Sequence, residues 1–186
     1  MPMNAITQAR GGELHSVLWA RYQQLDQRCR AKSPPVDLGI TQGLRTWNQQ
    51  DELWAKGRTT PGAPCKHGGV ARPVSTCDQH PLGLPVTKAK GGWSAHNFGY
   101  ALDAAPDDPN FPGWQPDWHA EDAQWQALLA AALDCGLAEG AAWRTFPDAP
   151  HLYLPELPAT PDDNMRYLFR EGGLTAVWAD WEGKFK

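Results

Sequence analysis

The sequence contains no apolar run approaching the ~20 residues that a membrane-spanning helix requires. It also lacks an excess of positive charge, since 17 basic residues face 21 acidic ones and the formal net charge is −4. This balance argues against general nucleic-acid binding. None of the four cysteines belongs to a Cys-x-x-Cys pair, which argues against a four-cysteine zinc site or a thioredoxin-type motif. The N-terminus lacks the basic-then-apolar order of a secretory signal.

The composition is that of a folded domain of ordinary size. The 186 residues, of which 41% are apolar, fit one domain with a packed core, and we expect that domain to cover residues 1–186. Glycine (18) and proline (17) make up about a fifth of the chain. That share is below the roughly 25–30% typical of low-complexity sequence.

The hydrophobic pattern predicts an α+β fold with a small, mainly antiparallel sheet and helices packed on it. Apolar residues at three- and four-residue steps, with caps and breakers, predict four helices: residues 13–31, 47–56, 120–135 and about 160–170. Short strands are predicted over three segments: residues 36–41, 100–105 and 151–154. Residues 57–92 show neither helical nor strand periodicity, so they are predicted to form a long Gly/Pro-rich loop. Loops of this length are usually functional or disordered. This loop has five basic residues against Asp78 alone.

The segment after this loop holds a suggestive pair of candidate metal ligands, His96 and Asp103. On one continuous helix they would lie about 10 Å apart along the axis, which is too far for two ~2 Å bonds to one ion. Gly99 permits a bend, after which a strand can return Asp103 beside His96. Asp103 would share its strand face with Ala101 and Ala105, whose small side chains leave space for an ion. Spacing alone leaves open a loop histidine and a solvated aspartate.

A second group of candidate residues lies at Asp148 and His151. Pro150 holds the preceding residue in an extended conformation, so a turn can bring Asp148 and His151 to one side. A hydrolytic zinc site needs three protein ligands and an open fourth position, and His96, Asp103 and His151 would supply the three. Asp148 would then be a nearby carboxylate that takes a proton from water. The alternative interpretation of Asp148 is an ordinary turn residue.

These motifs resemble a known family. The pattern Ser94-x-His96-x-x-Gly99-x-Ala101-x-Asp103 is followed, about fifty residues after its start, by Asp148-x-Pro-His151. Together they closely resemble the VanY-type zinc peptidases of bacterial peptidoglycan. That family includes D-alanyl-D-alanine carboxypeptidases, related dipeptidases and the L-alanyl-D-glutamate endopeptidases of phage endolysins.

A third block of residues lies upstream and extends the resemblance. The residues similar to the first conserved block of the family are Gly43-Leu-Arg-Thr46, Gln49 and Gln50, Leu53, and Gly57-Arg-Thr. The likeness covers roughly residues 12–155, and the three blocks follow the family's order. The loop at about 57–92 is an insertion relative to the compact members.

The resemblance implies a role for each matching residue. It implies that one zinc ion is held by three ligands: His96, Asp103 and His151. Asp148 aligns with the general base. Arg45 aligns with an arginine that binds substrate or stabilises the oxyanion, a task that suits its guanidinium fork. Ser94 aligns with a serine near the substrate.

Asp148 also bears on the bond that is cleaved. The dipeptidase branch has glutamate in the Glu-x-x-His position, so the shorter Asp148 resembles the endolysin branch and favours hydrolysis between L-alanine and D-glutamate of the stem peptide. A D-alanyl-D-alanine carboxypeptidase remains an alternative. A non-catalytic zinc-containing binding module is another, although Asp148 and Arg45 argue against it because pure binding needs neither a base nor an oxyanion partner.

The endolysin branch further implies how the protein would be used. We expect a monomer without a separate wall-binding domain and without insertion into a membrane. It would stay in the cytoplasm of the bacterial host until a holin-type pore releases it to the periplasm and cell wall, where it would cause bacteriolysis. Its partner would be the peptidoglycan stem peptide. The positively charged loop would attract the carboxylates of that peptide.

The cysteines and histidines of the loop allow three interpretations. A Cys65–Cys77 disulfide is favoured over a second zinc site because the enzyme would work in an oxidising periplasm. A second zinc site with His67 and His80 is less favoured, since Cys-x-His is too tight a spacing for the usual structural motifs. Ordinary loop thiols are the third interpretation. Two other cysteines are expected to be small core residues: Cys29 and Cys135. The sequence leaves the role of His119 open.

Overall fold

A four-stranded antiparallel sheet is the centre of the computed structural model, which describes residues 3–67, 70–72 and 74–185. The strands are β1 (Leu38–Gln42), β2 (Cys65–His67), β3 (Val70–Arg72), β4 (Ala101–Pro106), β5 (Ala138–Gly140) and β6 (Asp148–Tyr153). The main sheet has the order β1-β4-β6-β5, while β2 and β3 form a separate hairpin. The helices are α1 (Ala5–Gly12), α2 (Ser16–Arg30), α3 (Trp47–Ala55), α4 (Asp122–Asp134) and α5 (Asp163–Asp180). The chain therefore forms the predicted single α+β domain.

The register of β4 against β6 separates the core from the candidate site. Leu102 pairs with Leu152, and the next pair is Asp103 with His151. Because successive side chains of a strand point to opposite faces, the two leucines share one face and Asp103 and His151 share the other. The leucines are fully buried in the hydrophobic core. The opposite face is thus the one that carries the candidate ligands.

Helix α2 shows how the periodic pattern produces this core. Leu18, Tyr22, Leu25 and Cys29 recur at three- and four-residue steps and are fully buried, as expected for one face of a helix. His15 caps the helix, its Nδ1 accepting a hydrogen bond from the Val17 amide at 3.4 Å. The prediction of a helix over residues 13–31 is confirmed with slightly shorter bounds. Among the described residues, no helix has both the length and the apolar character needed to cross a bilayer.

Several elements were not predicted or have different bounds. Helix α1 and strand β5 were missed because both are short. Asn4 caps α1, its side-chain oxygen accepting a 2.8 Å hydrogen bond from the Thr7 amide. Strand β6 begins at Asp148 rather than at residue 151. Helix α5 continues past residue 170, although Gly172 and Gly173 interrupt its helical conformation. The second part of the helix is held by packing, since Val177 is buried in the core and Trp178 packs against it.

The loop over residues 57–92 is more ordered than its sequence predicted. It contains the β2–β3 hairpin, and an isolated bridge joins Ala63 to Leu84. Gly57 has φ of +75°, and a Cβ there would lie 2.4 Å from the Leu84 carbonyl carbon, so only glycine allows this close approach. The prediction of a segment without strands is therefore wrong at the hairpin. The side chains of five loop residues lie outside the described part of the chain: 66, 67, 70, 71 and 72.

Candidate active site

Three side chains from separate segments converge beside β4 and β6. His96 Nε2 lies 3.1 Å from His151 Nδ1, and Asp103 Oδ1 lies 3.2 Å from each of these nitrogens. Neighbouring ligands of a tetrahedral zinc ion are about 3.3 Å apart when the bonds measure ~2.0–2.1 Å. Two imidazoles and one carboxylate are also a donor set of catalytic zinc sites. The donors therefore fit one divalent cation, and the structure brings together the three residues that the sequence selected.

The other ring nitrogen of His96 fixes which of its nitrogens can bind a metal. His96 Nδ1 lies 2.9 Å from the carbonyl oxygen of Gly43. A carbonyl can only accept a hydrogen bond, so Nδ1 carries the proton and Nε2 presents its lone pair towards Asp103 and His151. Such a hydrogen bond to a backbone carbonyl is the usual way in which a metal-binding histidine is oriented. The 3-10 helix over Ala95–Phe98 holds His96 buried, and Gly99 ends it with φ of +74°, which confirms the predicted bend.

The two carboxyl groups of the site have opposite pKa shifts. Burial alone would raise the pKa of Asp103, but when the imidazoles are protonated the charge of His96 and hydrogen bonds from His151 and His96 lower it well below its ordinary value. Asp103 is therefore ionised and can supply a negatively charged oxygen to a metal cation. Burial raises the pKa of Asp148, and the negative charge of Asp103 raises it further, against the opposing effect of His151, His96 and Arg45. A raised pKa makes Asp148 a better proton acceptor than an exposed aspartate.

Arg45 lies beside these carboxyl groups. Its Nη2 is 3.8 Å from Asp103 Oδ2, and its Nη1 donates a 2.6 Å hydrogen bond to Gln50 Oε1. Burial lowers the pKa of Arg45, although the charges of Asp103 and Asp148 partly compensate. Since arginine retains its charge under all ordinary conditions, the site holds a permanent cation next to the candidate ligands.

Two buried amides hold the segments of the site together, and sequence analysis assigned neither of them a role. The side-chain oxygen of Gln50 accepts the hydrogen bond from Arg45, and its side-chain nitrogen donates to the Ala89 carbonyl at 2.8 Å. These two hydrogen bonds connect α3 to the end of the long loop. Asn97 donates to the Arg45 carbonyl at 2.8 Å and accepts from the Gly92 amide at 3.0 Å. Gln50 appeared only as part of the family resemblance. Their burial became visible only with the fold, because amides are usually exposed.

A cleft of about 420 Å³ is lined by every candidate site residue that the sequence selected: Arg45, Ser94, His96, Asp103, Asp148 and His151. Residues 86–89 of the loop form one wall, and the segment before β6, with Trp143 and Phe146, forms the other. The walls touch where Lys88 Nζ donates to the Thr145 carbonyl at 3.2 Å. The Trp143 ring packs 4.9 Å from the ring of His151. These aromatic residues were missed, although they stand just before the Asp148 motif.

The remaining histidines lie elsewhere. His15 is buried against α5, His119 is exposed, and the side chain of His67 lies outside the described residues. His80 stands beside two cysteines of the loop, Cys65 and Cys77. The structure has all four cysteines as thiols, so it does not contain the Cys65–Cys77 disulfide, one of the three interpretations that the sequence left open. The prediction of two small core residues is confirmed by the burial of both: Cys29 and Cys135.

Known proteins resemble the chain in the region of this cleft. A family model described as D-alanyl-D-alanine carboxypeptidase matches residues 87–154, the range that contains the three donors and Asp148. The peptidoglycan L-alanyl-D-glutamate endopeptidase CwlK of Bacillus subtilis (strain 168) is 28% identical over 144 residues, covering 75% of this chain and 72% of CwlK. The crystal structure of the Serratia marcescens L-Ala D-Glu endopeptidase ChiX has a TM-score of 0.52 at 16% identity, covering 83% of this chain and 90% of ChiX, and supports the fold. The motifs, the matching family model and the similarity to CwlK together show a peptidoglycan peptidase that resembles the VanY-type family.

Proposed function

We propose that the protein hydrolyses the L-alanyl-D-glutamate bond of peptidoglycan stem peptides and depends on one zinc ion for this activity. The observation that carries the proposal is the triangle of His96, Asp103 and His151 in a cleft that also contains Asp148 and Arg45. The choice of bond is supported by the likeness to CwlK, which is named as an L-alanyl-D-glutamate endopeptidase.

In this proposal the zinc ligands are His96, Asp103 and His151. When bound, zinc polarises the scissile carbonyl and lowers the pKa of a water molecule. The hydrogen bond from His96 Nδ1 to Gly43 keeps the ring in the required tautomer. Asp103 supplies the negative charge of the donor set, and its cross-strand pairing with His151 holds both donors on rigid strands.

Asp148 is the proton carrier of the proposed reaction. The oxygen of the attacking water bonds to the carbonyl carbon of L-alanine, and Asp148 accepts one proton of that water. The carbon–nitrogen bond to D-glutamate then breaks, and Asp148 returns the proton to the leaving amine. Its raised pKa favours both transfers, because a catalytic base works best when its pKa lies nearer the working pH.

Arg45 and Ser94 contact the substrate in this proposal. Gln50 anchors one terminal nitrogen of Arg45, which limits the movement of the guanidinium without neutralising it. The charge can then stabilise the oxyanion that develops on the scissile carbonyl, or bind a substrate carboxylate. Ser94 lines the same cleft and offers a hydroxyl to the peptide.

Mass spectrometry of digested muropeptides tests the bond and the metal together. We expect glycan fragments that end in L-alanine and peptides with a new D-glutamate amine. Treatment with a chelator should abolish cleavage, and added zinc should restore it. Release of a single D-alanine would instead establish the carboxypeptidase, which the description of the matching family favours. Cleavage by protein shown to be free of metal would refute the proposed zinc dependence.

We also propose that the protein is a phage endolysin that acts after release from the host cytoplasm. The support is the resemblance of the Asp148 motif to the endolysin branch. Cells that produce the protein should stay intact until their inner membrane is permeabilised and should then lyse rapidly. Cells producing the His151→Ala variant should not lyse under the same treatment. Equal lysis by the two would show that wall hydrolysis is not the cause.

A further inference from the structure

We infer that the loop over residues 57–92 contains a second zinc site, structural rather than catalytic, formed by Cys65, Cys77 and His80. One donor atom from each residue lies within 4.8 Å of the other two, and Cys77 Sγ is 3.9 Å from His80 Nδ1. A sulfur and a nitrogen that share a tetrahedral zinc ion are about 3.6 Å apart for bonds of ~2.3 and ~2.0–2.1 Å. Structural zinc sites take four ligands, of which these residues supply three.

The chemistry of the donors selects zinc over other common divalent cations. Two sulfurs and one imidazole nitrogen are the ligands of Cys/His structural zinc sites. Magnesium and calcium prefer oxygen ligands, and the group contains none. Both thiols are buried, with Cys65 2% and Cys77 3% exposed, as expected for ligands enclosed by the protein.

The backbone brings these donors together from two parts of the loop. The His80 amide donates to the Cys77 carbonyl at 3.2 Å, so Cys77 and His80 stand at the two ends of one turn. Cys65 opens strand β2, two residues after Ala63, which exchanges two backbone hydrogen bonds with Leu84, at 2.9 and 2.7 Å. The Ala63–Leu84 bridge therefore fixes the strand that carries Cys65 close to the turn that carries His80.

Little apolar side-chain surface is buried in the part of the loop that the structure describes. Among its side chains that the structure describes, the buried hydrophobic ones are Cys65 and Cys77. A segment that buries so little apolar surface usually needs a disulfide or a metal to hold its conformation. The free energy of metal binding at these residues would contribute directly to the folding of the loop.

This site bears on the active-site cleft through the end of the same loop. Residues 86–89 form one wall of the cleft, and the Ala89 carbonyl accepts from Gln50, which positions Arg45. A zinc ion at the three loop residues would fix the loop that carries this wall without touching the substrate. Loss of that ion should therefore raise KM through this wall and lower kcat through Gln50 and Arg45.

Metal content and cobalt spectroscopy of the full-length protein test the inference. Protein purified under reducing conditions should contain two zinc ions per chain, and the Cys77→Ser and His80→Ala variants should contain one. The Cys135→Ser variant, which alters a buried thiol elsewhere, is the matched control and should keep two. With cobalt in place of zinc, a thiolate-to-cobalt charge-transfer band should appear in the wild type and in His151→Ala, and should be absent from Cys77→Ser.

The cobalt band separates this inference from the proposed catalytic zinc, because that donor set contains no sulfur. Wild-type protein that binds cobalt without the band would overturn the loop site and leave the catalytic site untouched. A Cys65–Cys77 disulfide in freshly purified, unreduced protein, together with one zinc per chain, would also overturn it. The wild-type spectrum gives a decision even where a variant fails to fold.

Discussion

Replacing Asp148 by asparagine should abolish turnover while leaving the metal in place. The triangle of His96, Asp103 and His151 closes at 3.1–3.2 Å without Asp148, so its removal leaves the donor set complete. Asparagine keeps the size of the side chain but cannot accept the proton of the attacking water. General-base catalysis typically contributes about 10²–10⁴-fold, which corresponds to about 2.7–5.4 kcal/mol of transition-state stabilisation at 1.36 kcal/mol per factor of ten.

Replacing Asp103 by asparagine should have a different outcome. Asp103 Oδ1 is 3.2 Å from both imidazole nitrogens and is the anion of the donor set. Asparagine puts a neutral amide oxygen in place of the carboxylate, and amide oxygen is not among the usual ligands of zinc. We therefore expect Asp103→Asn to lose one zinc equivalent per chain as well as its turnover.

The assay compares zinc per chain, measured by elemental mass spectrometry, with the initial rate of muropeptide cleavage. Asp134→Asn is the matched control, since the Asp134 side chain is 68% exposed in a pair with Arg28, and it should match the wild type in both quantities. If Asp148→Asn lost zinc as readily as Asp103→Asn, Asp148 would be a ligand rather than a base. Full activity of Asp148→Asn would assign the base to another group.

Two further predictions concern arginine side chains. Arg45→Lys keeps the charge but loses the guanidinium fork, so we expect kcat to fall by about 10²–10³ with zinc content unchanged; a wild-type rate would exclude an oxyanion role for the fork. The hydrogen bonds from Arg21 lower the pKa of Glu156, so this pair contributes stability above the ordinary pKa of glutamate and loses it as the pH falls through the lowered value. Glu156→Gln should thus reduce the free energy of unfolding at neutral pH by up to about 1 kcal/mol. Urea denaturation should show that this difference from the wild type becomes smaller at acidic pH. An equal difference at neutral and acidic pH would refute the prediction.

The sequence alone selected the candidate site residues and predicted most of the regular structure around them. The spacing of Leu18, Tyr22 and Leu25 is a local property of a helix face, so it predicted α2 within a few residues. Gly99 marked the bend before β4, since a left-handed backbone conformation favours glycine. The residue types of His96, Asp103 and His151 predicted a metal site, because imidazole and carboxylate groups are common zinc ligands.

Only the tertiary structure decided which of these residues meet. The pairing of Asp103 with His151 depends on the β4–β6 register, and a shift of one residue would turn either side chain to the other face. The roles of Gln50 and Asn97 required their burial to be known. Cys65 joins Cys77 and His80 because a hairpin and the Ala63–Leu84 bridge close the loop. Contacts of this kind link residues far apart in sequence, and local periodicity carries no information about how such segments pair.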